Sequence, residues 1–339
     1  MNKKKLKNLI NFIFVNSGMS ALASQVIHGQ NMVRILLYHR VNDTPLVEAS
    51  ISDRLTVSVE KFRKQMEYVA GNFNVMSFSE FGERRKYSEA IPEKTVILTF
   101  DDGYLDNYNF AFPILKEFKI PATIFLATDY INTNRFLWWD VLEEIVLDPG
   151  IDLKELFVPE LHEGINFARE DRVHLYWEIY NYLKSIDPSK REDILLQISP
   201  EKRDLTSRQM LSWKHIVEMS KQNISFGAHT QSHAILSKIS LAQAKNEIRN
   251  SKSEIEYRIQ KRVVSFAYPN GGPDTFNDDI VEILKQSGYE NAVTTVKGFV
   301  NSKDDLFRLK RYNIDGEDSL STFKCKLSGI YEMPGLFQK

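Results

Sequence analysis

The 339-residue chain has one cysteine, Cys325, which excludes an internal disulfide and a cysteine-rich zinc site. It also lacks an apolar run long enough to cross a bilayer as a helix. Neither sign of charge dominates, because 44 lysines and arginines stand against 45 acids and the net charge is −1. This balance argues against a protein that binds nucleic acid through bulk electrostatics. The length of the chain is enough to bury a large core and is typical of a barrel with insertions.

The amino-terminal segment gives information about the location of the protein in the cell. Residues 1–7 are basic, and apolar residues then recur at helical spacing as far as residue 14. Asparagines interrupt these apolar positions, whereas a signal peptide needs a continuous apolar run. We therefore interpret residues 1–30 as an amphipathic helix on an anionic membrane surface, which predicts a location peripheral to the cytoplasmic membrane. Two alternatives stay open: a helix packed on the body of the protein, and export, since residues 21–23 resemble a cleavage site.

Predicted strands and helices alternate along most of the chain, which indicates a parallel sheet. About seven or eight strands with helices between them favour an α/β barrel over an open sheet. The alternation stops over 131–211, which we interpret as a mostly helical insertion, so the barrel is expected over 31–130 and 212–320, with a tail over 321–339. The predicted strands are Arg34–His39, Asn74–Phe78, Val96–Phe100, Ala122–Leu126, Ile224–Ala228, Val263–Tyr268, Asn291–Val296 and Leu306–Arg311. The predicted helices include Val59–Ala70, Tyr108–Phe118, Val173–Ile186, Trp213–Ser220, Leu241–Gln260 and Asp279–Ser287.

Two adjacent carboxylates, Asp101 and Asp102, follow the most apolar of these strands. Like charges repel and are costly to bury, so the pair makes sense if a metal or a migrating proton lies there. If the strand continues through them, the two side chains point in opposite directions. Further along, His229 and His233 stand four apart, so on a helical turn they would share one face and could bind one ion. Two imidazoles and a carboxylate leave metal positions open for water and substrate, and the spare carboxylate can accept a proton from that water.

Each motif also has a plain structural interpretation. An Asp-Asp-Gly sequence is commonly a turn, and a His-x-x-x-His pair is commonly part of a surface or a core. Their shared position at the carboxyl ends of predicted parallel strands, where barrel enzymes place their sites, favours function. An iron oxygenase uses the same kind of ligands, but it does not need the second acid. Trp138, Trp139 and the aromatic residues of 176–180 could stack on sugars, although their helical spacing is more typical of a core.

The sequence around these residues resembles the polysaccharide deacetylases, the carbohydrate esterases of family four. Thr99–Gly103 is similar to the first motif of that family, His229–His233 to the second and Phe266–Gly271 to the third. The resemblance runs from about Arg34 to Asp315, apart from the insertion. It implies a distorted barrel of parallel strands and hydrolysis of an N-acetyl group on a sugar. It also implies one divalent metal, with zinc favoured and cobalt or nickel as alternatives.

The same resemblance implies roles for individual residues. Asp101 would be the catalytic base, and Asp102, His229 and His233 would hold the metal. The backbone N–H of Asn270 would help to stabilise the oxyanion. The partner that the resemblance implies is an N-acetylated glycan. The amino-terminal helix adds the membrane surface as a further expected partner, and the charge balance argues against nucleic acid.

The chain departs from the family pattern in two ways. Many members have an arginine where this chain has Ala267, and no histidine follows His233 to act as general acid. His39 instead resembles the early acid histidine of the biofilm poly-N-acetylglucosamine deacetylase branch, in which the motif order is permuted. Arg308 or Arg311 could replace the missing arginine, and both remain open. The altered third motif also leaves open a catalytically weakened carbohydrate-binding or membrane-associated protein of the same fold.

Overall fold

A parallel sheet forms the centre of the protein, with eight strands among the residues that the structure describes. The structure is a computed structural model, and it describes residues 11–15, 17, 32–43, 50–152, 161, 165, 171–198 and 209–330. The central strands are mostly apolar and are buried along their whole length, as expected for a parallel sheet that helices cover. The strands are β1 (Arg34–Tyr38), β2 (Arg40–Val41), β3 (Thr56–Val57), β4 (Asn74–Val75), β5 (Thr95–Phe100), β6 (Ala122–Leu126), β7 (Ile224–Ala228), β8 (Ser265–Ala267), β9 (Asn291–Val293) and β10 (Tyr312–Asn313).

The order of strands shows how the sheet curves into a barrel. It runs β10-β1-β5-β6-β7-β8-β9, and β4 pairs with the first residues of β5. Leu309 forms a parallel bridge to Val293 of β9, and Tyr312 pairs with Leu36 of β1. The segment 309–313 thus joins the two ends of the sheet. A distorted parallel barrel, the fold class expected from the sequence, is confirmed.

Helices pack around this barrel and begin at polar caps. Ser58, Ser212 and Ser240 each accept a hydrogen bond from the third backbone N–H of their helix, which satisfies a donor that the helix start leaves free. The apolar faces of these helices cover the sheet and form the main core. The helices are α1 (Ile51–Leu55), α2 (Val59–Asn72), α3 (Phe78–Lys86), α4 (Phe112–Glu117), α5 (Trp138–Leu147), α6 (Arg172–Ser185), α7 (Pro188–Ile198), α8 (Trp213–Ser220), α9 (Leu241–Ile259), α10 (Asp278–Gln286) and α11 (Leu320–Ser328).

The region that we interpret as an insertion contains three helices among its described residues. Its helices α5, α6 and α7 enclose a second apolar cluster, in which Trp138, Trp139 and Tyr176 are each 5% exposed or less. Tyr104 and Ala127 of the barrel belong to the same cluster. The aromatic residues therefore form a core, and that core is continuous with the barrel rim.

Four predicted strands differ from the observed elements by more than one residue. Those predicted over Val263–Tyr268 and Asn291–Val296 are shorter in the structure, at Ser265–Ala267 and Asn291–Val293. The strand predicted over Asn74–Phe78 ends at Val75, because Ser77 caps a helix that begins at Phe78. The strand predicted over Leu306–Arg311 contains only an isolated bridge, and regular pairing begins one residue later, at β10. A turn that is held by a side-chain hydrogen bond occupies the start of this last segment.

The predicted amino-terminal helix over residues 1–30 lies mostly outside the described residues. Its described part, residues 11–15, is helical, and Asn11 Nδ2 donates a hydrogen bond to Thr322 Oγ1 at 3.0 Å. Apolar residues of this turn also pack beside Cys325. These contacts agree with the alternative of a helix that packs on the body, and the membrane location stays a prediction. In the described ranges, no helix combines the length and apolarity that a bilayer span requires.

Candidate metal and catalytic site

The two adjacent acids lie on a turn at the end of β5. Asp102 has a left-handed φ of 73°, and Gly103 follows with a φ of 86°. A Cβ atom at position 103 would lie 2.9 Å from Leu126 Cδ2, so glycine suits both the φ and the space. Because β5 ends at Phe100, the alternation expected along a continued strand does not apply. The turn itself directs Asp101 and Asp102 to different neighbours.

His229 and His233 lie on the loop that follows β7, and the expected helical turn is wrong. Thr230 and His233 have left-handed φ values of 64° and 57°, which are uncommon for residues other than glycine and turn the chain sharply. The two imidazole centroids lie 4.7 Å apart. Loop geometry, and not helical periodicity, therefore brings the two histidines together.

Glu247 of α9 anchors this histidine loop. Its Oε2 accepts hydrogen bonds from the backbone N–H groups of Gln231 and Ser232 at 2.7 and 2.9 Å, and its Oε1 accepts one from Ser232 Oγ at 2.7 Å. Hydrogen bonds to a charged acceptor are stronger than those between neutral groups. Sequence analysis missed Glu247, because nothing in the helical pattern distinguishes it from a solvent-exposed acid.

Asp102, His229 and His233 bring three donor atoms within 4.8 Å of one another. Asp102 Oδ1 lies 3.5 Å from His229 Nε2 and 3.4 Å from His233 Nε2. Ligand bonds of about 2.1 Å at tetrahedral angles separate two donors by about 3.4 Å, so the spacing fits one ion of the size of zinc. In the described part of the chain, Asp102 Oδ1 is buried without a hydrogen-bond partner, which is costly unless a cation lies beside it.

The protonation of these groups suits metal binding. His229 Nδ1 lies 2.7 Å from the carbonyl oxygen of Ala267, and donation there leaves the lone pair on Nε2, facing Asp102. Burial acts to raise the pKa of Asp102, but the neighbouring imidazoles of His229 and His233 outweigh it and hold that pKa well below its ordinary value. An ionised carboxylate with two imidazoles is a donor set of catalytic zinc sites.

Asp101 forms a bidentate salt bridge with Arg311. Arg311 Nη1 donates to Asp101 Oδ1 at 2.8 Å and Nη2 donates to Oδ2 at 2.7 Å, and both residues are buried. Burial acts to raise the pKa of Asp101, but the charges of Arg311 and His229 outweigh it and keep the pKa below its ordinary value. Of the two arginines that the sequence left open, Arg311 lies at the site. Arg308 is at the surface, where it pairs with Asp278.

His39 lies beside the acids because β1 and β5 are parallel neighbours. Their register matches Tyr38 with Phe100, and the backbone N–H of Asp101 donates to the Tyr38 carbonyl at 3.0 Å. Burial lowers the pKa of His39, and the negative charges of Asp102 and Asp101 oppose this shift. No described residue forms a hydrogen bond with its buried Nδ1. The structure thus brings His39 next to the acid pair without tying it to a second side chain.

Asn270 lies on the same rim, in the loop after β8. Its φ is 60°, and its carbonyl oxygen accepts a hydrogen bond from Thr295 Oγ1 at 2.6 Å. The loop follows Ala267, whose carbonyl orients His229. The described contacts do not join Asn270 to the acids or to the histidines, so its role as oxyanion donor stays a prediction.

The insertion contributes Trp139 to the edge of the site. Its ring centroid lies 4.7 Å from that of His233, with the planes at 71°. Its Nε1 donates to Tyr104 Oη at 3.0 Å, and Tyr104 donates to the two Asp140 oxygens at 3.0 and 3.2 Å. Burial raises the pKa of Asp140 to about 7. This network joins α5 to the turn after the acid pair, a contact that the helical pattern of the insertion did not predict.

A match to a known family agrees with this geometry. The family model for polysaccharide deacetylases matches residues 88–155 and 190–292, together about half of the chain. The chain belongs to the polysaccharide deacetylase family. This deacetylase is 28% identical over 315 residues to a poly-beta-1,6-N-acetyl-D-glucosamine N-deacetylase of Staphylococcus epidermidis, a match that covers 89% of this chain and 86% of that protein.

Solved structures share the fold of the deacetylase. The Streptococcus pyogenes deacetylase PplD in complex with acetate has a TM-score of 0.59 at 20% identity, over 87% of this chain and 98% of that one. IcaB from Ammonifex degensii has a TM-score of 0.57 at 18% identity, over 88% and 96%. The family, the fold and the enzyme class predicted from the sequence are confirmed. The family is metal-dependent, in agreement with the Asp-His-His donor set of this deacetylase.

Proposed function

We propose that this enzyme removes N-acetyl groups from glucosamine units of a β-1,6-linked glycan. One observation carries the proposal: three side chains that could hold a metal converge on one point, beside a second acid, Asp101, that Arg311 keeps ionised. The choice of glycan is supported by the Staphylococcus epidermidis relative, which is named for that polymer and aligns with 89% of this chain.

Asp102, His229 and His233 would hold the metal, for which we propose zinc. The donor spacing fits zinc, and cobalt or nickel would accept the same ligands. When bound, the cation supplies Lewis-acid polarisation of the acetamide carbonyl and lowers the pKa of a nearby water.

The remaining residues move protons and hold one another in place. Asp101 accepts a proton as water oxygen attacks the acetamide carbon, and Arg311 keeps Asp101 ionised and oriented. His39 donates a proton to the nitrogen as the C–N bond breaks, which gives acetate and a free amine. The N–H of Asn270 would stabilise the developing oxyanion.

Acetate release from defined oligosaccharides tests this function. We expect release from β-1,6-linked N-acetylglucosamine oligomers, loss of release after chelation, and recovery when zinc is added. A β-1,4-linked oligomer of the same length serves as the control for linkage. Glycan binding without acetate release would instead support the catalytically weakened alternative, and oxygen consumption by the ferrous form would support an oxygenase.

A further inference from the structure

Three polar groups of the insertion are buried without a hydrogen-bond partner among the described residues. They are the indole N–H of Trp138 on α5, the hydroxyl of Tyr180 on α6 and the guanidinium of Arg191 on α7. These residues are 5%, 8% and 6% exposed. Their polar atoms still reach open space, because none is among the fully enclosed atoms that lack a partner. We call these three residues the insertion donor cluster.

The cluster is packed as one unit against the metal site. The Trp138 ring stacks on Tyr180 with centroids 5.0 Å apart, and Arg191 Cζ lies 4.8 Å from the centroid of the same ring. Trp138 also contacts Trp139 at 5.5 Å, and Trp139 contacts His233 at 4.7 Å. One aromatic ring, that of Trp139, therefore separates the donor cluster from His233, a candidate metal ligand.

Electrostatics agrees with this proximity. Burial raises the pKa of Tyr180 to about 12, the negative charge of Asp102 adds to the rise, and the positive charge of Arg191 opposes it. Arg191 forms no ion pair with a described carboxylate. A buried guanidinium without an acceptor is unfavourable, and a ligand that supplies oxygen atoms would relieve it.

We propose that the insertion donor cluster binds the sugar unit next to the reactive one, and that Arg191 selects a neighbour that is still N-acetylated. The inference rests on the proposed function. An acetylated sugar offers hydroxyl and carbonyl oxygens to the donors of the cluster. A sugar that has already been deacetylated carries an ammonium group in mildly acidic solution, and Arg191 repels it. The products should then contain spaced amines and few adjacent ones.

Paired oligosaccharides test this selection at pH 6.5. One is fully acetylated, and the other carries a free amine on the unit next to the cleaved acetamide. For the unaltered enzyme, kcat/KM should be about tenfold lower on the amine-bearing substrate, and high salt should reduce the difference. Arg191→Met keeps an apolar stem over Trp138 and should reduce the difference to about twofold or less, whereas Arg191→Lys should retain it.

Two further variants separate a local contact from a general charge effect. Lys190→Met removes the same charge from the exposed neighbouring position and should leave the discrimination unchanged. Tyr180→Phe should raise KM for the acetylated substrate with little change in kcat, as expected for a binding contact. Melting temperature and metal content show whether each variant is folded and loaded.

Several results would overturn the inference. These are equal activity of the unaltered enzyme on both substrates, equal discrimination by the unaltered enzyme and Arg191→Met, or loss of discrimination in Arg191→Lys. If Arg191→Met does not fold, Arg191→Lys and Tyr180→Phe decide the outcome. Absence of acetate release from every N-acetylated glycan would refute the proposed function, whereas release with no dependence on Arg191 would refute only the selection.

Discussion

The barrel rim and the insertion differ in whether their buried charged side chains have partners of opposite charge. At the rim, Arg311 neutralises Asp101, and two imidazoles surround Asp102. In the insertion, Arg191 is buried against an aromatic ring and has no ion pair with any residue in the described ranges. A site whose groups already hold one another is organised before substrate arrives, whereas an unmatched donor gains its partner from a ligand. We therefore associate the rim with chemistry and the insertion with substrate choice.

The largest effect should follow a change at the rim that keeps its shape. Asp101→Asn removes the proton acceptor, so we expect kcat for acetate release to fall by about 10³-fold or more, with the metal still bound. Metal content and acetate release are measured on the same sample. Asp274→Asn, at an exposed acid, is the matched control. Full activity of the Asp101 variant would refute its role as the base.

A smaller loss is expected when the partner of Asp101 is removed. The positive charge of Arg311 lowers the pKa of Asp101, whereas burial raises it. Arg311→Met removes that charge, so the pKa of Asp101 should rise. The base must be ionised to act, so activity should be lost at a higher pH as the solution becomes acidic. At neutral pH we expect about a 10²-fold lower kcat.

The pH profile of acetate release distinguishes this positioning role from a structural one. If activity of Arg311→Met falls at the same acidic pH as that of the unaltered enzyme, Arg311 does not set the pKa of Asp101. Arg308→Met, which alters a surface arginine near the same segment, should leave the profile unchanged.

A still smaller effect should follow loosening of the histidine loop. Glu247→Gln weakens the acceptor that binds Gln231 and Ser232, so His229 and His233 are held less firmly. We expect about tenfold weaker metal affinity, measured by competition with a chelator. Glu254→Gln on the same helix is the control, because among the described residues Glu254 pairs with Arg258 and forms no hydrogen bond with the histidine loop. Equal affinities in both variants would show that the loop does not depend on Glu247.

The smallest effect concerns an acid of the insertion. Burial raises the pKa of Asp140 from 3.8 to about 7, so the folded state binds more protons than the unfolded state between these values. Stability associated with Asp140 is therefore lost as pH rises from about 4 to 7. Asp101 has the opposite sign, because its lowered pKa gives stability that is lost as pH falls.

Asp140→Asn removes this proton linkage and should gain stability relative to the unaltered protein as pH rises, by about 3 kcal/mol between pH 4 and 7. Melting curves across this range measure the difference. Asp193→Asn, at an exposed position of the insertion, should show no such trend. A constant difference across the range would mean that Asp140 does not titrate there.

Local patterns predicted many elements well. β6 and β7 have the bounds that their apolar runs indicate, and α8 begins after Ser212 as its cap predicts. The strand predicted from Asn74 is too long at its carboxyl end. Met76 and Phe78 are apolar residues that also suit a strand, but Ser77 caps α3 and the helix begins at Phe78. The four-residue spacing of the histidines would suit a helical turn, but left-handed loop residues produce the contact.

The sequence by itself determined the family, the barrel and the ligand types, because motif residues and strand periodicity are local properties of the chain. Only the tertiary structure decided that Arg311 partners Asp101, that Glu247 anchors the histidine loop, and that Trp139 lies beside His233 of the candidate metal site. These pairs are far apart in sequence, and a single acid, arginine or tryptophan has no local pattern that reveals its partner. The folding of the chain supplies that information by bringing distant side chains within hydrogen-bond distance.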